Sequence, residues 1–277
     1  MDAVARLFTF VKDESYLLRT WIPYHGSLFG LDNLYVVDQG SSDGSHALYE
    51  KFRARGLLVH RTRLDVRHRA AVLTRLMRRH RRGARVLISL DADEFVCLDK
   101  DGGVHVDKAD ILRAIAGLPA DVFKYRIGYF DAVNDAFAYV DPLTEMRRFL
   151  STRSSGEGSM PRHVSTCFDA AHFVATDDSN SEGRVDRLDD RHHCSPLMLL
   201  HFEVRGLEHF TWKNVRGATA FGHDRGSGDG RGVHYRDRYR AILAGRAREA
   251  FERDFYRPGA GLVSDAFAAY IRTLDRG

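Results

Sequence analysis

The chain has 277 residues but only three cysteines, Cys97, Cys167 and Cys194. They lie far apart, form no CxxC pair and are odd in number, so neither a disulfide framework nor a zinc knuckle is expected. That scarcity suits a reducing compartment. Also missing is an apolar run of about 18 residues, the length a membrane-spanning helix needs. The opening MDAVARLFTFVKDE meets acid too soon for a secretory signal. A soluble, cytoplasmic protein is the expectation, and there is no internal repeat.

Charge is what the chain has in excess. Its formal net charge is +4 with a pI near 9.0, and the surplus is concentrated in RTRLDVRHRAAVLTRLMRRHRRGAR, residues 61–85. Such a stripe raises the question of nucleic-acid binding. Yet Val72, Leu73, Leu76 and Met77 recur at helical spacing, which gives the segment one apolar face and puts Arg75, Arg78, Arg79, Arg81 and Arg82 mostly on the other. It reads as a solvated crossover helix, with no nucleic-acid partner expected. Its charge can still attract an acidic substrate or hold the protein at a membrane surface.

The first ninety residues alternate short apolar runs rich in β-formers (residues 3–11, 33–38, 57–62 and 85–90) with helix-period segments. That alternation predicts an α/β fold: a mostly parallel, Rossmann-like sheet with right-handed crossovers and helices on both faces, in a single domain. Pro23 should kink or divide the first helix. Beyond residue 93 the pattern predicts a hairpin around DKDGG, a helix from about Asp107 to Gly117, strands at DVFKYRIGYF and VSTCF, a mobile loop over residues 176–194, a strand at PLMLLHF, a helix over residues 206–217 and two terminal helices.

In an open parallel sheet, ligands bind beyond the carboxyl ends of the strands. Lys12, Asp13 and Glu14 follow the first strand, Asp38 and QGSSDG the second, Arg63 and Asp65 the third, Asp91 and Asp93 the fourth. Asp43 reads better as a helix start than as a ligand contact. Two aspartates one residue apart in extended chain point the same way, so both can reach a hard divalent cation, which neutralises a diphosphate leaving group without proton transfer. His201 ends an apolar strand, where a histidine is more often a hydrogen-bonded core residue than a ligand. His192, His193 and Cys194 read as surface, and GSGDGRG as a flexible loop rather than a phosphate cradle.

Three ordered segments resemble the inverting nucleotide-sugar glycosyltransferases of GT-A fold, in particular the family 2 and family 92 branch. They are FVKDESYLLRTWIPYHGSLFGLDNLYVVDQGSSDGS (10–45), DADEF (91–95) and LLHFEVRGLEHFTWKNVRG (199–217). Carried over residue by residue, the resemblance implies Asp38 near the base or ribose of the donor with Lys12 nearby, and Asp91 at the ribose or the metal. It further implies Asp93 and His201 as ligands of Mn²⁺ or Mg²⁺, and Lys213 and Arg216 near the diphosphate. It also implies a transferase domain over residues 1–235, with a donor-binding half (1–100) and an acceptor half (101–235), followed by a helical extension over 236–277. Asp13 and Gln39 stand where that branch commonly has Asn, and Gly206 where it often has Ser.

The activity this implies moves a hexosyl group from a nucleotide sugar, a UDP-sugar first among donors, to a glycan or lipid-linked acceptor in polysaccharide biosynthesis. The acceptor hydroxyl would attack in line with the departing diphosphate while a carboxylate takes its proton. Asp177 and Asp178 are the candidate bases, with Glu157 and Asp169 behind them. A phosphoryl hydrolase with an aspartate nucleophile is the rival enzyme, although such enzymes usually carry the motif on the first core strand. A non-catalytic basic module binding nucleic acid or an anionic surface through residues 61–85 is the rival of another class.

Overall fold

The computed structural model describes residues 3–152, 165–177, 180–187, 192–226 and 231–274. The chain opens with β1 (Ala3–Val11), α1 (Ser15–Phe29), β2 (Leu34–Asp38), α2 (Ser45–Arg53), β3 (Leu58–Arg61), α3 (Arg69–Arg79) and β4 (Ala84–Leu90). Their strands lie in the order β3-β2-β1-β4, all parallel. Period-two alternation builds both faces of this half. Ala5, Leu7 and Val11 of β1 point into a core shared with α1, and Phe8 points into a second core with Leu73, Leu76 and Met77 of α3.

After β4 come β5 (Glu94–Lys100), β6 (Gly103–His105), α4 (Lys108–Ala116), β7 (Lys124–Ala132), β8 (Arg148–Ser151), β9 (Ser165–Asp169), β10 (Phe173–Thr176), β11 (Gly183–Val185), β12 (His192–His201), α5 (Leu207–Ala220), α6 (Val233–Leu243), α7 (Ala247–Asp254), β13 (Leu262–Val263) and α8 (Ala266–Thr273). The main sheet continues from β4 through β9-β7-β12-β5-β6, with β8 and β13 joined beside β7. Only β5, β8 and β9 of its described strands run against β1, so the sheet is mostly parallel. β10 and β11 form a separate hairpin packed on α3, where Arg78 Nε and Arg81 Nη1 donate to the carbonyls of Val174 and Phe173.

Two residues of α1 fix the sheet where the site will form. Tyr24 Oη donates to the Val96 carbonyl at 2.6 Å, and the Val96 N–H donates to His25 Nε2 at 3.2 Å. Since Nε2 accepts, the proton sits on Nδ1, which donates to the Trp21 carbonyl at 3.0 Å. Burial pushes this imidazole down to about 3, so it stays neutral. Phe267 of α8 packs against Tyr24, Phe95 and Phe202, which plants the last helix in the same core.

Several expectations change. Helix α1 runs through Pro23 undivided. Residues 176–194 are not all loop: β11 lies within them and β12 begins at His192, so His192, His193 and Cys194 are strand residues. Asp99 belongs to β5, not to the hairpin turn. The terminal region holds α7 as well as α6 and α8. Among the described residues no helix is long and apolar enough to cross a membrane.

Candidate functional site

A cleft of about 660 Å³ opens beyond the carboxyl ends of β1, β2 and β4. Its floor is the turn after β4. Here the chain is not extended: the Glu94 N–H donates to the Asp91 carbonyl at 3.1 Å and the Asp91 N–H to Glu94 Oε2 at 2.8 Å, closing a tight turn over Asp91–Glu94. The expected parallel projection of Asp91 and Asp93 therefore does not hold. Asp91 forms an ion pair with Arg69 and accepts from Asn180 Nδ2 at 3.4 Å. Asp93 meets α5 instead, with Lys213 Nζ 3.0 Å from its Oδ2.

Lys213 is held twice, since its ammonium also donates to the Glu203 carbonyl at 2.9 Å. Burial alone would raise the pKa of Asp93. The charge of Lys213, followed by that of His201, holds it well below the usual carboxylate range. Around this pair lie Lys12, Arg205 and Arg216, all on the cleft wall. Arg216 donates to the Lys12 carbonyl and lies 3.5 Å from Glu14, so α5 is tied to the end of β1. Glu14 is pushed up to about 7, by burial first and then by the charge of Asp93.

Beneath the turn, His201 Nδ1 lies 2.8 Å from Asp131 Oδ1. Burial would lower this imidazole, but the Asp131 hydrogen bond and the charge of Asp93 lift it to about 10. Glu94 is raised to about 7 by burial, next by Asp91, and Tyr129 hydrogen-bonds to it. His201 is not part of the cleft lining.

Asp38 is fully buried and does not line the cleft. Its carboxylate accepts from the Ser41 N–H and from Tyr49 Oη, and its neighbour Gln39 takes the wall position. Asp43 stands just before α2, whose N-cap position is Gly44; it accepts from Ser45 and takes the Ser15 N–H at 2.7 Å. Asp13 has φ +53°, a left-handed conformation that Asn and Asp adopt most readily among residues with a side chain. Gly206 is likewise constrained, with φ +89° and space in which a Cβ would lie 2.3 Å from the Ala138 carbonyl oxygen.

Of the candidate bases, Asp177 follows β10 within electrostatic reach of Arg69 and accepts from Ser181 Oγ at 3.4 Å. Asp169 is removed from the site, being paired with Arg85 beside the beginning of β4. Asp178 and Glu157 lie outside the described residues.

The expected cation ligands do not fit together in this arrangement. Asp91, Asp93 and His201 do not bring one donor atom each within 4.8 Å of one another; among the described residues, only His105, Asp107 and Asp110 do so. That second trio caps α4. Asp107 accepts the Asp110 N–H, and the Asp110 carboxylate is shared by His105, Lys100 and Arg113.

Arg69 is hidden in the sequence, inside a basic run that reads as solvated. The signal was its spacing: Arg69 stands four, seven and eight residues before Leu73, Leu76 and Met77, on the stripe that is buried. Arg205, His209, Trp212 and Tyr235 also line the cleft and were not singled out. Burial and the neighbouring Arg205 push His209 down to about 3, so it is neutral.

No family model matches the sequence, and no curated protein matches it. Among solved structures, the chain is similar to S. aureus TarS 1–349 in complex with UDP, at 10% identity over 90% of this chain and 73% of that one, TM-score 0.40. It is also similar to a 4-diphosphocytidyl-2C-methyl-D-erythritol synthase (12%, 70% and 88%, TM-score 0.41) and to a mannose-1-phosphate geranyltransferase from Thermus thermophilus (15%, 62% and 58%, TM-score 0.35). Likenesses this loose assign neither a reaction nor a residue.

Proposed function

We propose that the protein is a glycosyltransferase that moves a sugar from a nucleoside diphosphate sugar, a UDP-sugar first among candidates, to a hydroxyl of a glycan or glycolipid. The observation that carries this reading is the cleft at the strand ends. Five cationic side chains, those of Lys12, Arg69, Arg205, Lys213 and Arg216, line one concave surface around the Asp91–Glu94 turn, interleaved with the carboxylates of Asp13, Glu14, Asp65, Asp91 and Asp93. Such a wall suits a diphosphate, because charge-assisted hydrogen bonds to phosphate oxygens are about twice as strong as neutral ones.

In this reading Gln39 and the end of β1 meet the nucleoside, and the diphosphate runs toward α5. The acceptor oxygen forms its bond to the anomeric carbon as the bond to the β-phosphate oxygen breaks, with inversion. Asp177 or Asp178 takes the hydroxyl proton. Exposed Trp212 on the cleft wall offers a ring face on which a sugar can stack, with exposed Tyr16 beside Arg205.

The phosphoryl-hydrolase reading gains nothing here, since no observation on Asp91 or Asp93, each paired with a cation, marks either as a nucleophile. A thermal-shift screen of UDP-, GDP- and dTDP-sugars tests the proposal, because a ligand that binds only the native state raises its apparent stability. At least one donor should raise Tm; no shift from any of them would contradict it.

A further inference from the structure

We propose that the protein's own cations, Lys213 foremost with Arg69 and Arg216 beside it, take the place of a divalent metal ion at the donor diphosphate. Binding and transfer then need no added metal. The inference rests on the nucleotide-sugar reading above and names how that site neutralises its leaving group.

A metal site that used both Asp91 and Asp93 would require them to present free oxygens to one point. The Asp91–Glu94 turn sends them to different partners, Asp91 to Arg69 and Asp93 to Lys213. Each carboxylate is already compensated by a full positive charge. An added divalent ion would have to enter against both cations, and displacing Lys213 would also break its bond to the Glu203 carbonyl. Together with the scattered donor atoms of Asp91, Asp93 and His201, this makes Asp93 a positioning residue for Lys213.

The ammonium is well disposed for that task. It has three N–H bonds, of which Asp93 Oδ2 takes one at 3.0 Å and the Glu203 carbonyl another at 2.9 Å, leaving one for a phosphate oxygen. Arg69 adds a second resource. Its side chain is only 11% exposed, it lines the cleft, and its Nε is buried without a hydrogen-bond partner. Arg216 lies on the same helix as Lys213 and completes the wall.

In the transfer step, the bond between the anomeric carbon and the β-phosphate oxygen breaks with its electron pair going to that oxygen. The acceptor oxygen bonds to the carbon, and its proton passes to the carboxylate base. The nucleoside diphosphate leaves with one more negative charge than it held as a sugar ester. Lys213 and Arg216 meet that charge. No oxidant, reductant or further reactant is needed.

The test is calorimetric titration of the full chain with UDP, once in EDTA and once in Mn²⁺. The inference expects binding in EDTA within about threefold of that in Mn²⁺, less than the tenfold that 1.4 kcal/mol represents. Lys213→Ala should weaken binding in EDTA by about tenfold or more, the worth of a charge-assisted hydrogen bond. Asp93→Asn keeps a side-chain oxygen for Lys213; it should bind less tightly but stay indifferent to metal, and it serves if Lys213→Ala does not fold. Binding of UDP by wild-type protein only when Mn²⁺ is present would overturn the inference and leave the transferase reading standing, as would full affinity of Lys213→Ala in EDTA. If neither UDP, GDP nor dTDP binds in either buffer, the nucleotide-sugar reading itself falls, and the inference with it.

Discussion

Lys213 Nζ on α5 lies 3.0 Å from Asp93 Oδ2 in the turn after β4, joining a helix and a turn 120 residues apart in sequence at the floor of the cleft. Both groups are largely buried, so breaking the pair from one side strands a charge. Lys213→Ala is expected to cost about 3–5 kcal/mol. The double variant Lys213→Ala with Asp93→Asn should be distinctly more stable than Lys213→Ala alone, because Asp93→Asn removes the charge that the single variant strands. Urea unfolding of the four proteins of this cycle measures the coupling; strictly additive effects would show that the pair contributes no interaction of its own.

Glu94 gives the fold a pH dependence of definite sign. Burial, then the nearby Asp91, raises its carboxyl from the ordinary 4.5 to about 7. The folded protein thus holds a proton that the unfolded chain releases. Stability from this group is full below pH 4.5, falls between 4.5 and 7, and stays reduced above. Glu94→Gln should therefore stabilise the protein at pH 8 by more than it does at pH 4.5, a difference on the order of a few kcal/mol read by urea unfolding. An equal change at the two pH values would refute the buried proton.

Asp38 and its neighbour Gln39 separate structure from binding. Asp38 takes the Ser41 N–H and Tyr49 Oη deep in the fold, so Asp38→Ala should lose about 1–3 kcal/mol by leaving the buried Ser41 donor unpaired. Gln39→Ala should keep its Tm and lose affinity for UDP. The reverse pattern would return Asp38 to the donor.

For Asp177, the expectation concerns rate. Asp177→Asn should bind the donor as wild type does while transfer slows by about 10²-fold or more, the usual worth of a general base. Unchanged transfer would move the role to Asp178.

Much of this was legible in the sequence, and what was missed has physical causes. Short continuous apolar runs gave the parallel half, because β1, β2 and β4 are buried on both faces. The hairpin is legible from DKDGG between two apolar runs, and α4 because Asp107 and Gly117 stand at its ends as caps. The strand-end rule brought Lys12, Asp91 and Asp93 onto one cleft, and the resemblance carried by LLHFEVRGLEHFTWKNVRG added Lys213 and Arg216. What failed was local geometry: alternation implies an extended chain, and no periodic pattern reveals that Asp91–Glu94 closes a turn. β11 and the first residues of β12 were hidden because their composition is polar, and their pairing with β10 and β7 is a tertiary effect. Arg69 was legible only by asking which arginine falls on the apolar stripe.

The most direct measurement is release of free nucleoside diphosphate from a panel of UDP-, GDP- and dTDP-sugars by the folded protein, with the anomer of any released or transferred sugar read by NMR. One donor is predicted to be cleaved with inversion, and Lys213→Ala to cleave it far more slowly. A well-folded wild-type protein that neither binds nor cleaves any member of the panel would contradict the account.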